Sequence, residues 1–306
     1  MLAGVTSLPP GEGTGERKHP ITRRRITMII SALLASILTL APTPMSKDEP
    51  YQLGIFQNGS MVRLAADRVN IRSTPSLAGS VIATLPIGTK LRINSKSDAS
   101  STIDRLTAPW YGVSFGDRGA EKKGFVWGGL VAVASLDLKD AGGDEVMLAG
   151  LAVTPDNTLM CRVILMRGGK IAGKVEFNPP GLLNQDGTYD YSVTAELHGA
   201  RGLKGVAEVI ALSFNYPACG YPFGTVLIIH DGTALYYGVK TLSMVEAGVF
   251  HVISKPVFPD EKEGVKDRVV IVTTHEEFND ESKEYRVTKI EKKIYRWGGK
   301  GLGEVK

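Results

Sequence analysis

Short runs of alternating or apolar residues, separated by turn residues, fill the sequence from residue 61 to residue 297, and this pattern restricts the fold more than any other feature. Within residues 189–198, Tyr, Tyr, Val, Ala and Leu occupy the odd positions and Asp, Ser, Thr, Glu and His the even ones. Because successive side chains of a strand point to opposite faces, this alternation predicts a strand with one buried and one solvated face. No convincing helix longer than the apolar run at residues 28–41 is found, so we predict a mainly β fold.

Turn signals divide the predicted strands into hairpins. Asp231 with Gly232, and Gly168 with Gly169, each separate two β-like runs, and such pairs are favoured in two-residue hairpin turns. A charged turn near residues 279–282 separates two further runs, and residues 203–214 favour a strand over a short helix. The polar, Ser-rich stretch at residues 94–108 is predicted to be a long exposed loop.

The N-terminal region has the layout of an export signal. Arg23, Arg24 and Arg25 precede the uncharged run at residues 28–41, as a basic segment precedes the apolar segment of a secretory signal peptide. The run is too short to span the roughly 30 Å hydrocarbon core of a membrane. A buried core helix is the alternative, but Pro42 and Pro44 follow the run. We expect a periplasmic or extracellular protein with no integral membrane anchor after signal removal. A lipid anchor is not expected either, because no cysteine near the run could carry the lipid.

The length of 306 residues predicts two domains. Residues 1–45 are interpreted as a signal peptide with a preceding disordered segment, and residues 46–59 as a linker. Residues 60–136 contain several short β-like runs, among them residues 69–72 and 81–85, which predict a small barrel. Residues 138–306 are predicted to form a larger β-sandwich or β-roll of unknown function.

Four segments of the predicted barrel match a known pattern in the same order. They are Val-Asn-Ile-Arg-Ser-Thr-Pro at residues 69–75, Leu-Pro-Ile-Gly-Thr at residues 85–89, Trp-Tyr-Gly-Val at residues 110–113 and Gly-Phe-Val-Trp at residues 124–127. This stretch resembles the bacterial SH3-like (SH3b) family, from which it departs at Thr74 and Phe125. Pieces of the C-terminal half, such as Ala-Cys-Gly at residues 218–220 and Tyr-Arg-Trp-Gly-Gly at residues 295–299, resemble uncharacterised exported proteins that carry an SH3b domain before a β domain.

The resemblance implies a small SH3-like barrel whose loops bind peptidoglycan or its peptides. The residues carried over as candidate ligand contacts are Asn70, Arg72, Trp110, Tyr111 and Trp127. Core packing is the alternative for the aromatic residues, above all for Trp110. Asn70 and Arg72 could equally be solvated or turn-forming groups.

The chain contains two cysteines, Cys161 and Cys219. In an exported protein a pair of cysteines favours a disulfide, which would stabilise the fold by about 4 kcal/mol in the chain-entropy model. A catalytic thiol is the alternative. It is disfavoured because Cys219 lies in a turn-like context rather than at a helix start that would lower its pKa.

No catalytic, metal or cofactor site is predicted. The histidines that follow the signal region, His198, His230, His251 and His275, show no pair at ligand spacing. Neither a nucleophile elbow nor a phosphate-binding glycine loop is present. The formal net charge is only +4 and no long basic run remains beyond the signal region, so no nucleic-acid partner is expected.

These observations favour an exported, non-catalytic binding or scaffold protein. Its partner would be peptidoglycan, through a peptide or glycan, or another envelope protein. The alternative from a different class is a hydrolase of envelope polymers that uses carboxylates of the C-terminal domain, with Asp186, Asp190 and Glu246 as candidates. A purely structural role in an envelope assembly is a third hypothesis.

Overall fold

The described part of the chain is built from three β-sheets. The structure is a computed structural model and describes residues 51–52, 56–116, 120–138, 144–181, 192–215 and 219–305. Within these ranges it contains twenty strands, one 3-10 turn at Gly128–Leu130 and no α-helix. The mainly β prediction is confirmed. The predicted signal segment, residues 1–45, lies outside the described residues.

The first sheet curls into a half-barrel. Its strands are β1 (Tyr51–Gln52), β2 (Met61–Arg63), β3 (Val69–Arg72), β4 (Val81–Leu85), β5 (Lys90–Ile103), β6 (Leu106–Phe115) and β7 (Lys122–Trp127). Their order is β2-β5-β6-β7-β3-β4, and β1 pairs with β6 in parallel. Alternate residues such as Val69 and Ile71 on β3 point into the core of the half-barrel, while Asn70 and Arg72 point outward.

The predicted loop at residues 94–108 is wrong, because β5 and β6 form a long hairpin there. Asp104 and Arg105 make its two-residue turn with φ of 48° and 61°, and Ile103 pairs with Leu106. The hydroxyls of Thr102 and Thr107 are 2.7 Å apart across the two strands. The serines and threonines of this stretch therefore occupy strand positions, where their side chains face solvent or other polar groups. Their polarity reflects an exposed strand rather than a loop.

The second sheet has the order β11-β10-β9-β8. Its strands are β8 (Ala134–Asp137), β9 (Glu145–Val153), β10 (Leu159–Arg167) and β11 (Lys170–Phe177). The predicted turn at Gly168 and Gly169 is confirmed, with φ of 54° and 75°. Because β8 pairs with β9, the predicted domain boundary at residue 137 falls between two strands of one sheet.

The second sheet is covered on both faces. On one face Leu148 and Ile164 belong to a buried cluster that packs against Ala65 and Ile87 of the first sheet region. On the other face Phe177, the register partner of Cys161, lies with its ring centroid 6.2 Å from that of Phe214 in the third sheet. The apolar runs of β9 and β10 therefore have no solvent-exposed face over most of their length.

The third sheet is the largest. Its strands are β12 (Ser192–Leu197), β13 (Glu208–Asn215), β14 (Pro222–His230), β15 (Leu235–Lys240), β16 (Ser243–Glu246), β17 (Phe250–Val257), β18 (Arg268–Asn279), β19 (Glu284–Trp297) and β20 (Leu302–Val305). Their order is β12-β13-β14-β16-β17-β18-β19-β20, with β15 also paired to β14.

Three predictions about the third sheet can be compared with the structure. The stretch 203–214, which favours a strand in the sequence, contains turns at residues 203–207 and a strand at residues 208–215. The charged turn separates β18 from β19, as predicted. The hairpin at Asp231 and Gly232 is also present, but its connection has four residues rather than two because His230 pairs with Leu235. The carboxylate of Asp231 accepts hydrogen bonds from the backbone N–H groups of Thr233 and Ala234, which fixes the longer loop.

Candidate functional site

The two tryptophans carried over by the resemblance are buried. Trp110 is 2% exposed and Trp127 is 5% exposed. The Trp110 Nε1 donates to Ser101 Oγ at 2.9 Å, and the Trp127 Nε1 donates to the backbone oxygens of Ser101 and Ala108 at 2.9 and 3.1 Å. Both indoles therefore anchor the β5–β6 hairpin to the first sheet, and only Trp127 borders a cleft, of about 240 Å³, between the first and second sheets.

Tyr111 also belongs to the core. Its side chain has no solvent exposure, its ring lies 5.2 Å from that of Phe56, and its hydroxyl accepts a hydrogen bond from the Phe56 N–H. This contact holds Phe56, a residue of the predicted linker, against the half-barrel. The rings of Tyr111 and Trp110 are enclosed by protein, which favours the alternative of core packing, and their role as ligand contacts stays a prediction.

Asn70 and Arg72 lie on the outer face of β3, and their role as ligand contacts stays a prediction. Asn70 is exposed, and its Oδ1 accepts a hydrogen bond from Thr84 Oγ1 at 2.8 Å. Arg72 is half-buried and donates to the backbone oxygen of Gly79 at 2.7 Å, which closes the loop between β3 and β4.

A row of residues crosses the outer face of the first sheet from β5 to β3. The register places Ser95 beside Gly112, Gly112 beside Phe125, and Phe125 beside Arg72. A Cβ on Gly112 would lie 2.5 Å from Ser95 Oγ and 3.6 Å from the ring of Phe125. The Ser95 side chain therefore occupies the space that a Cβ on Gly112 would need, and the Phe125 ring lies on the other side of this glycine.

A second glycine lies beside this row. Gly124 pairs with Val113, so its missing side chain faces the core, where a Cβ would lie 2.5 Å from Ile82 Cδ1 and 2.6 Å from Ile71 Cγ2. The backbones of Gly112 and Gly124 line an open groove of about 490 Å³, whose side chains include Ser73, Ile82, Asn94, Ser95, Lys123 and Phe125. An aromatic ring, an aliphatic side chain, one cation and several polar groups thus meet on one surface. We call this surface the glycine groove.

Residue-by-residue reading of the sequence missed the glycine groove. Phe125 was noted only as a departure from the family pattern, and Gly112 only as part of the Trp-Tyr-Gly-Val segment. The available signal was the alternation of β6, in which Tyr111 and Val113 point inward, so Gly112 must point outward. The neighbours of Gly112 on β5 and β7 depend on the register, which the sequence does not supply.

A buried ionisable cluster joins the second and third sheets. Glu145 accepts a hydrogen bond from Arg167 Nε, and its Oε2 lies 3.5 Å from Nε2 of His230. The side chains of His230 and Glu145 are 2% and 3% exposed, and among the residues that the structure describes neither of these two facing atoms has a hydrogen-bond partner. Burial lowers the pKa of His230, and the Glu145 carboxylate opposes that shift. The sequence predicted an ordinary position for His230 and did not single out Glu145.

The predicted disulfide is not formed in the structure. Cys161 is fully buried on β10, on the face that packs against the third sheet, and Cys219 lies in an exposed turn before β14. Burial raises the pKa of the Cys161 thiol to about 12. Cys161 is therefore enclosed by protein, whereas Cys219 is open to solvent.

Another polar pair lies on β17 and β18 of the third sheet. His251 Nδ1 lies 3.1 Å from Glu276 Oε2, and its ring stacks on Tyr285 with centroids 3.7 Å apart. Across the described ranges, no three His, Cys, Asp or Glu side chains cluster closely enough to hold a metal ion. No helix in the same ranges is long and apolar enough to cross a membrane.

The carboxylates of the hydrolase alternative are only partly described. Asp186 and Asp190 lie outside the described residues, and Glu246 is half-buried at the end of β16 next to Gly220.

Comparison with known proteins gives no relative. No protein-family model, no curated protein and no solved structure matches the chain.

Proposed function

We propose that this chain is an exported, non-catalytic binding protein that holds an extended peptide or glycan of the cell wall in the glycine groove. Export is supported by the basic and apolar segments at residues 23–41. A wall ligand is supported by the resemblance of residues 69–127 to SH3b modules. The observation that carries the binding role is the groove itself, which the backbones of Gly112 and Gly124 line together with Phe125 and Ile82.

The chemistry of the groove suits a chain that is polar but has flat or methyl-bearing groups. The Phe125 ring offers a stacking surface for a sugar ring or a peptide plane, and Ile82, 44% exposed, offers an apolar contact. Asn94 and Ser95 offer hydrogen bonds, and the Lys123 ammonium offers a partner for a carboxylate. Asn70 and Arg72, on the same outer face, extend this polar surface along β3.

The first experiment is sedimentation of the purified protein with insoluble peptidoglycan. We expect the wild-type chain to sediment and the variants Ile82→Ala and Lys123→Ala to bind roughly five-fold more weakly, because each loses one contact in the groove. Ile171→Ala is the matched control, since Ile171 is 57% exposed on β11, outside the groove.

Each outcome bears on a different part of the proposal. If the wild-type chain stays in the supernatant, the wall ligand is rejected and an envelope protein becomes the partner to seek. If the wild-type chain sediments but both groove variants bind as well as Ile171→Ala, the glycine groove is not the binding site.

A further inference from the structure

One edge of the third sheet is open. Strand β19 pairs with β18 along its whole length, but on its other side β20 covers only residues 294–297. No strand in the described part of the chain pairs with residues 284–293 on that side. Such an edge presents backbone N–H and C=O groups that can pair with another strand.

The faces of this edge follow from its register with β18. Glu276 pairs with Val287 and His275 with Lys289, so Thr288 forms a bulge. Because of that bulge, Val287 and Ile290 point to the same face, on which they are 55% and 57% exposed. The opposite face carries five charged side chains of the edge: Glu284, Arg286, Lys289, Glu291 and Lys293.

The order of these residues is self-complementary. We propose that a second copy of this chain docks along residues 284–293, strand to strand and antiparallel, with the two-fold axis between Thr288 and Lys289. In that register Glu284 faces Lys293 and Arg286 faces Glu291 of the other copy, while Val287 faces Ile290. Lys289, next to the axis, faces the uncharged Thr288. Each contact occurs twice, and the paired residues lie on the same face of the continued sheet, as antiparallel pairing requires.

The charges also specify one register. A shift by two residues in one direction would place Arg286 opposite Lys293, and a shift in the other direction would place Glu284 opposite Glu291. Charged side chains on an edge strand commonly prevent pairing of any kind. Here the order of the charges disfavours the two shifted registers and favours the proposed one, because opposite charges stabilise a cross-strand pair and like charges destabilise it.

The test is a charge swap followed by sedimentation velocity over a range of protein concentrations. The wild-type protein is expected to dimerise. Lys293→Glu should raise the dimer dissociation constant about ten-fold, because it creates two Glu–Glu pairs per dimer. Adding Glu284→Lys to the same chain should restore the wild-type constant. Within one copy these positions lie opposite Asn279 and Ile271, which are uncharged, so neither change should disturb the monomer.

Lys204→Glu is the matched control, because it changes the net charge equally at an exposed turn away from β19. Dimerisation that is lost in Lys293→Glu, kept in Lys204→Glu and restored in the double variant supports the proposal. A wild-type protein that stays monomeric at every concentration, or a dimer that is indifferent to Lys293→Glu, overturns it.

Discussion

Burial gives the two thiols of this chain different reactivities. Cys161 is enclosed between the second and third sheets with a pKa of about 12, whereas Cys219 is exposed. The thiolate is the reactive form of cysteine, and at pH 8 a thiol with that pKa is ionised in roughly one molecule in ten thousand. Enclosure also keeps reagents away from the sulfur.

In the native protein we expect one thiol that reacts quickly with a thiol reagent and one that does not react. With an aromatic disulfide reagent at pH 8, Cys219 should react within minutes, and Cys161 should react only after denaturant unfolds the chain. The Cys219→Ser variant should show no reactive thiol until it is unfolded. If the wild-type protein does not react with the reagent in either the native or the unfolded state, Cys161 and Cys219 are joined in a disulfide.

His230 is predicted to make the protein less stable in mild acid. Burial lowers its pKa in the folded state, so below the unfolded value of about 6.5 the unfolded chain binds more protons. This contribution to the free energy of unfolding is complete above pH 6.5 and is lost as the pH falls towards the folded pKa, by at most about 1.4 kcal/mol per pH unit. The charged groups that face His230 are Glu145, Arg167, Asp231 and Glu208.

The measurement is denaturant unfolding of wild type and His230→Gln at pH 7.5 and pH 5.5. The wild type should lose more stability than the variant between the two values. His198→Gln is the control, because His198 is about one-third exposed at the end of β12 and the variant keeps His230. This variant should lose as much stability between pH 7.5 and pH 5.5 as the wild type. An equal loss in wild type and His230→Gln would show that the Glu145 carboxylate fully compensates the burial of His230.

At the scale of the element, the hairpin of β10 and β11 contains two glycines at which the effect of backbone conformation on stability can be measured apart from that of side-chain packing. Gly168 has a φ of 54° in the hairpin turn, whereas Gly173 lies in β11 outside the left-handed region, and a Cβ would meet nothing within 4 Å at either position. A substitution at these positions therefore changes backbone preference and little else.

Gly168→Ala should lower the free energy of unfolding by about 1–2 kcal/mol, because an L-residue is strained at positive φ. Gly173→Ala should be neutral or slightly stabilising, because the alanine restricts the unfolded chain. Chemical denaturation of both variants checks this difference. Equal effects of the two substitutions would contradict the turn geometry at Gly168.

Most individual strands were predictable because their information is local. The strands at residues 69–72 and 81–85 occur where alternation and turn residues placed them, and so does the hairpin at Gly168 and Gly169. The exception is the β5–β6 hairpin. Its serines and threonines look like a loop in sequence, but they become strand residues because Trp110 and Trp127 pack beneath them and donate hydrogen bonds to Ser101.

For the whole molecule, the arrangement of layers explains why no clean domain boundary is visible. Arg63 on β2 pairs with Asp137 on β8, and Ala65 packs beside Leu148, so the first and second sheets share contacts. The described residues all belong to one compact unit that spans Lys47–Lys306. The two-domain organisation remains a prediction, and the open edge of β19 is the surface at which we expect this unit to associate.

The sequence by itself determined the β class, most strand positions and the turns, since these depend on side-chain alternation and on glycine within a few residues. Only the tertiary structure decided which strands lie side by side. That pairing buried Trp110 and Tyr111, enclosed Cys161, brought Glu145 to His230 and formed the glycine groove between β5, β6, β7 and β4. Each of these contacts joins residues far apart in the chain, and their burial follows from the packing of whole sheets, which no local pattern encodes.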